Sequence, residues 1–180
     1  MVKGAVASYI VGRMTAAPPE LFDAALIARR RARAAASPAD FLQEAVADET
    51  VDRLAGVNRS FRAPAVIGPR AELWAARLAA AGLPPARALP DAATLDLGED
   101  AHDLVLHAMA LHASNDPAGQ LVQCRRALAP DGLMIAATLG GETLHELRAV
   151  LAEAEVAETG GISPRVAPMG EIRALGHLLQ

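Results

Sequence analysis

From Pro64 to Gly140, short apolar runs alternate with stretches of helical spacing, and this alternation limits the fold more than any other feature of the chain. "PAVIG" is a strand-length run, "ELWAARLAAAGL" keeps its apolar residues on one helical face, and "ARALP" is a second short run. "HDLVLHAMAL", Ala118 to Leu128 and "GLMIAATLG" then read as strand, helix and strand. Strands joined through helices pair in parallel, because each crossover returns the chain to the same end of the sheet. The expected class is therefore α/β, with a doubly wound sheet. A chain of 180 residues, 52% of them hydrophobic, has apolar surface for one such core and not for a second full domain.

Two helices are expected before the first strand. "ELFDAALIARRRARAAA" follows Pro18 and Pro19, and "SPADFLQEAVADETVDRLAGV" opens with Ser37 as N-cap and Pro38 at the first helical position. On the second, Leu42, Ala45, Val46, Val51 and Leu54 form the apolar stripe. Further along, Asn115 or Asp116 caps the helix that begins at Pro117, and Thr143 with Glu146 has capping-box spacing for a helix carrying Leu144, Leu147 and Leu151 on one face. A last helix is expected from near Met169 to the end of the chain. The organisation is thus a loose tail over 1–18, a helical segment over 19–60 and an α/β unit over 61–180.

Charge and composition exclude several function classes. A net charge of −4 with one Trp, one Tyr and three Phe leaves neither a basic surface nor stacking groups for nucleic acid. The apolar run Gly4 to Gly12 is too short to span a bilayer and has no cleavage site after it, so no membrane partner is expected. Cys124 as the sole cysteine points to a reducing, cytoplasmic compartment. Its two neighbouring arginines would lower a thiol pKa, but without a fixed His partner the simpler reading is a partly buried helix residue. No His, Cys and carboxylate set has metal-ligand spacing. The basic run Arg29, Arg30, Arg31 and Arg33 is most simply a solvated face; the alternative is a lid that meets an acidic substrate or protein. His112 follows the third strand, where a base or substrate contact would sit, whereas His107 lies within the strand and is expected to pack against a helix.

The stretch "HDLVLHAMALHASNDPAGQLVQCRRALAPDGLMIAATLGGETLHELR" resembles the fourth strand, following helix and fifth strand of class I S-adenosylmethionine-dependent methyltransferases. It is most similar to the branch that includes the malonyl carrier-protein O-methyltransferases of the biotin pathway and the methyltransferase-like assembly factors of respiratory complex I. "LHASND" (111–116) matches that branch's "LHWVND", and "GGISPRVAPM" and "LGHLLQ" match its later segments. The resemblance, which runs from about Leu21 to Gln180, implies a Rossmann-like sheet and S-adenosylmethionine as cofactor. It also implies a small-molecule or carrier-protein acceptor, or a protein client in the assembly branch. Gly68, Asp91 and Leu111 fall at its cofactor-binding positions, and His112 lies in its substrate-facing loop, where it would be the catalytic candidate as a general base or substrate contact; the alternative is a capped loop histidine.

Three departures from the family accompany the match. Between its first strand and helix the family carries Gly-x-Gly-x-Gly, which lets backbone amides approach the methionine part of the cofactor; "VIGPRAE" keeps only Gly68. The segment from Leu83 to Asp91 runs directly into the family's strand-three pattern, since "LPDAATLDLGEDAHD" fits "LADxxxLPFxxxxFD". Strand two and its ribose-binding acid are therefore missing, Asp91 matches the acid near the adenine, and the sheet order should be three, one, four, five in the family's numbering. The family's sixth and seventh strands also have no counterpart, so the 180 residues read as a fragment, a truncated product or a chain whose edge a partner covers. Together these imply a methyltransferase-family protein with a degraded cofactor site; the alternative is a non-catalytic binding or assembly factor on the same scaffold.

Overall fold

The structure, a computed structural model, describes residues 20–177 and Leu179. The tail expected at 1–18 lies outside these residues. Its elements in chain order are α1 (Ala24–Ala34), α2 (Phe41–Ala55), β1 (Pro64–Ile67), α3 (Ala71–Ala80), β2 (Arg87–Leu89), β3 (His102–Ala108), a 3₁₀ turn (Leu111–Ala113), α4 (Pro117–Ala127), β4 (Leu128–Ala137), α5 (His145–Thr159) and α6 (Ile172–His177).

The four strands form one parallel sheet in the order β2-β1-β3-β4, which is the order expected when the family's second strand is deleted. Ile67 pairs with Leu89 on one side of β1 and with His107 on the other. Alternation then divides the core. Val66, Leu104, Leu106 and Ala108 face α2 and α3, where they meet Leu54, Trp74 and Leu78. Ile67, Leu89 and Val105 face Cys124 of α4. Trp74 buries its ring and satisfies its Nε1–H on Gln43 Oε1 at 2.8 Å, which ties α3 to α2. The segment before β1 is spliced to β3 by the Asp103 carboxylate, which accepts from Arg62 N at 2.6 Å and Ala63 N at 3.0 Å.

Several caps differ from those that local spacing suggests. Ser37 belongs to the end of α1, its amide bonded to Ala34 O at 3.1 Å, and α2 starts only at Phe41. Asp40 holds the cap position but turns its carboxylate to Arg70, so a long-range ion pair replaces a local cap. On α2 the buried positions are Ala47, Thr50 and Leu54, whereas Leu42 is exposed. The capping box at Thr143 does not form: its hydroxyl donates to Gly140 O at 2.7 Å, Leu144 adopts a left-handed conformation, and α5 starts at His145. Leu144 and Leu147 are exposed and α5 buries no residue. α6 begins at Ile172 rather than near Met169. Asp116 does cap α4, accepting from Gly119 N at 2.7 Å, with Pro117 at the first turn.

Gly68 ends β1 with its amide bonded to Leu89 O at 3.0 Å, and a Cβ there would lie 2.3 Å from the backbone oxygen of Ala108. Backbone cannot yield as a flexible side chain does, so Gly68→Ala should destabilise the chain by about 2–3 kcal/mol. Urea unfolding checks this; a midpoint equal to that of the unmodified chain would show that the β1–β3 approach is looser than described.

Candidate functional site

The C-terminal ends of parallel strands are where an open α/β sheet offers its crevice, and there the chain places Gly68 after β1, Asp91 after β2 and Leu111 with His112 after β3. A cleft of about 560 Å³ opens between the loop after β2, the loop after β3 and α1. That volume lies in the range of small-molecule sites, roughly 300–1,000 Å³. Arg31 and Asp91 face each other across it: Arg31 Nη1 lies 2.7 Å from Oδ1 and 3.0 Å from Oδ2. The Asp91 side chain is only 12% exposed. The solvated-face reading thus holds for the exposed Arg29, Arg30 and Arg33 but not for Arg31.

Two glutamines of α4 hold the loop that carries Asp91. Gln120 Nε2 donates to Ala92 O at 3.1 Å, Gln123 Nε2 donates to Ala93 O at 2.9 Å, and Gln123 Oε1 accepts from Leu95 N at 2.8 Å. Because Gln120 donates through its amide, its Oε1 must accept, and it does so from His107 Nε2 at 2.9 Å. This fixes His107 as the Nε2–H tautomer, packed against α4 as its place in the strand suggests, with Nδ1 buried and unpartnered. These glutamines were not legible as site residues in the sequence. Their only signal is an i, i+3 pair on one helix face, which many helices carry.

The four residues named from sequence do not share one cavity. Asp91 lines the cleft under α1. Gly68 lines a separate depression of about 540 Å³ with Pro69, Arg70, Leu89 and Pro90, and Pro90 borders both. Leu111 is buried in the 3₁₀ turn. His112 beside it is half-buried, its Nδ1 unpartnered. Burial, then the Arg31 charge, lowers the His112 pKa below its ordinary value, against an opposing pull from Asp91. Burial likewise lowers that of His107, opposed by Gln120 and Asp91. Cys124 is fully buried and burial pushes its thiol up to about 12, which excludes the activated-thiol reading. Among the described residues no group of three or more His, Cys, Asp or Glu is placed to hold a metal ion.

The fit of an adenosyl cofactor differs between the two depressions. The Asp91 cleft has the size for a nucleoside and a carboxylate acceptor on its wall, which Arg31 holds, while the Ala92 and Ala93 carbonyls of the same loop accept from Gln120 and Gln123. The first turn lacks the cradle an amino-acid end needs: Gly68 is used for the approach to Ala108, Pro69 has no amide hydrogen, and Arg70 is tied to Asp40.

A methyltransferase domain model matches residues 69–136. The chain is 32% identical to arginine-hydroxylase NDUFAF5, mitochondrial, of Danio rerio over 161 residues, which cover 78% of this chain and 50% of the relative. It is 41% identical to the Homo sapiens protein of the same name over 97 residues, 54% of this chain and 28% of that protein. It is also 40% identical to a malonyl-[acyl-carrier protein] O-methyltransferase of Halorhodospira halophila over 63 residues, 35% of this chain and 21% of that one. The chain spans at most half the length of these curated relatives. In fold it is similar to the crystal structure of a SAM-dependent methyltransferase, possible histamine N-methyltransferase, from Thermotoga maritima, with a TM-score of 0.51 and 17% identity, covering 78% of this chain and 72% of that one.

The buried His107 and the half-buried His112 both lower the stability of the fold in acid. Their folded pKa values lie below 6.5, so between 6.5 and those values the unfolded chain binds more protons and stability falls with falling pH. The slope contributed by each is up to about 1.4 kcal/mol per pH unit. His107→Gln should remove one such contribution, visible as a flatter dependence of the urea midpoint on pH between 5 and 7.5. The Cys124 thiol should also resist a disulfide reagent at pH 8 until the chain is unfolded.

Proposed function

We propose, for a chain that belongs to the S-adenosylmethionine-dependent methyltransferase family, that the Asp91 cleft accepts the nucleoside part of the family's cofactor while the first turn no longer supports methyl transfer. The observation that carries this is the state of that turn. Arg70 is engaged by Asp40, Gly68 by the backbone of Ala108, and Pro90 stands between the turn and the Asp91 cleft. S-adenosylmethionine, the cofactor expected of the family, would then be held at one end only. Loss of the backbone cradle and of a ribose acid should weaken a micromolar site by at least about 4 kcal/mol, into the millimolar range.

On this reading the chain works as a binding or assembly module on a methyltransferase scaffold, with a protein client. The relatives' names include an arginine hydroxylase as well as an O-methyltransferase, and scaffold likeness does not choose between chemistries. No helix among the described residues is long and apolar enough to cross a membrane. The single, buried Cys124 supports a reducing compartment, the cytoplasm in our reading. A second reading, an active methyltransferase with a small-molecule or carrier-protein acceptor, is favoured by His112. Burial and the Arg31 charge lower its pKa against the pull of Asp91, which favours the neutral imidazole that a general base needs.

Radiolabelled S-adenosylmethionine at micromolar concentration, incubated with the chain, malonyl carrier protein and a cell extract, should transfer no label. Transfer above background would overturn the degraded-site reading, and its loss in His112→Ala would support the second. Calorimetry should give millimolar affinity for S-adenosylmethionine, weakened about fivefold or more by Asp91→Ala.

A further inference from the structure

Among the described residues, α1 lies over the Asp91 cleft without the buried apolar side chains that normally hold a helix to its domain. It buries no residue, and only Ile27 and Arg31, one turn apart on the same face, are half-buried. Most helical stability in a domain comes from packing an apolar face, so α1 must be held by something else. The polar ties are at its two ends. At the start, Asn115 turns both ends of its side-chain amide to the segment leading into α1: Oδ1 accepts from Leu21 N and Phe22 N, both at 2.9 Å, and Nδ2 donates to Phe22 O at 2.9 Å. Towards the far end, Arg31 takes both oxygens of Asp91. Asn115 follows β3 and Asp91 follows β2, so the two ties bridge the mouth of the cleft.

Asp91 is at once the inward-facing acid of the cleft and the anchor of its roof. Glu20 is an exposed residue at the rim, and Asp116 is committed to capping α4. Arg31 Nη1 sits on both oxygens of Asp91 and the side chain is only 12% exposed, so a ligand that donates hydrogen bonds to Asp91 contends with Arg31 for access to it. We propose that Arg31 is a competitor of the cleft's ligand for Asp91 and that Asn115 is the positioning residue that delivers it, so that α1 opens when a nucleoside hydroxyl or amino group occupies the Asp91 carboxylate. This rests on the nucleoside reading of the cleft and adds to it the element that regulates entry. The geometry has a specific consequence: weakening either tie improves ligand binding, the opposite of what loss of a merely structural contact does.

The test uses the full chain with adenosine and S-adenosylhomocysteine as probes, read by calorimetry and by hydrogen exchange. Arg31→Ala and Asn115→Ala should each bind the probes about fivefold more tightly than the unmodified chain, the size of one partly exposed ion pair. Exchange at α1 should quicken in both variants while β3 stays protected, which also shows that they remain folded. Asn115→Asp keeps the acceptor for Leu21 and Phe22 and should return affinity towards that of the unmodified chain. Probe added to the unmodified chain should quicken exchange at α1. Equal or weaker binding by Arg31→Ala and Asn115→Ala, or slower exchange at α1 when probe binds, would overturn the competition while leaving the nucleoside cleft standing. Failure of every variant and of the unmodified chain to bind either probe at millimolar concentration would remove the nucleoside reading itself, and the inference with it.

Discussion

The pairing of β1 on both of its edges is the constraint from which the rest of the molecule follows. Four residues, Pro64 to Ile67, are fully buried and bonded in parallel to β2 on one side and β3 on the other. Parallel pairing brings three strand ends to the same edge of the sheet, so Gly68, Asp91 and the Leu111–Ala113 turn share one end of the domain. It also sets the β1–β3 approach that leaves no room for a side chain at Gly68. A glycine that the family pattern would reserve for a cofactor is thereby held by the sheet itself.

The sheet closes without a counterpart of the family's second strand–helix unit between α3 and β2. β2 pairs with β1 as an ordinary neighbour, and the core on both faces is closed by α2, α3 and α4. At the strand ends, however, the loop after β2 arrives beside the first turn with Pro90 between the two depressions. The polar groups there satisfy one another: Asp40 with Arg70, Asp91 with Arg31, Gln120 with His107 and Ala92. Buried polar groups demand partners, and the chain supplies them internally to these pairs, while His107 Nδ1 and His112 Nδ1 stay unpartnered.

The strands were legible because their signal is local and repeated. An apolar run between turn residues needs no knowledge of its neighbours, and β1, β2, β3 and β4 fall within the runs read from the sequence, except that β4 starts at Leu128, before its run. Helix starts were less legible where a distant charge or a competing turn took the capping side chain. Asp40 is drawn away from its helix by Arg70, and Thr143 closes a turn on Gly140 instead of capping α5. His107 could be assigned to a helix contact from its place in the strand, but its partner Gln120, thirteen residues on, could not, since nothing in a helix's own spacing marks which polar residue turns inward.

The sequence alone determined the α/β class and the parallel pairing of its strands, because periodicity and turn residues are properties of neighbouring positions; the strand order, the reduced first turn and the place of Asp91 came from its resemblance to the methyltransferase family. Only the tertiary structure decided which groups meet. It separated Gly68 from the Asp91 cleft, buried Cys124 beyond reactivity, and gave one arginine of a basic run a carboxylate partner sixty positions away. Such contacts depend on which helix face packs and how far each loop reaches. Those are set by the balance of burial and desolvation over the whole domain, which no local stretch of chain contains.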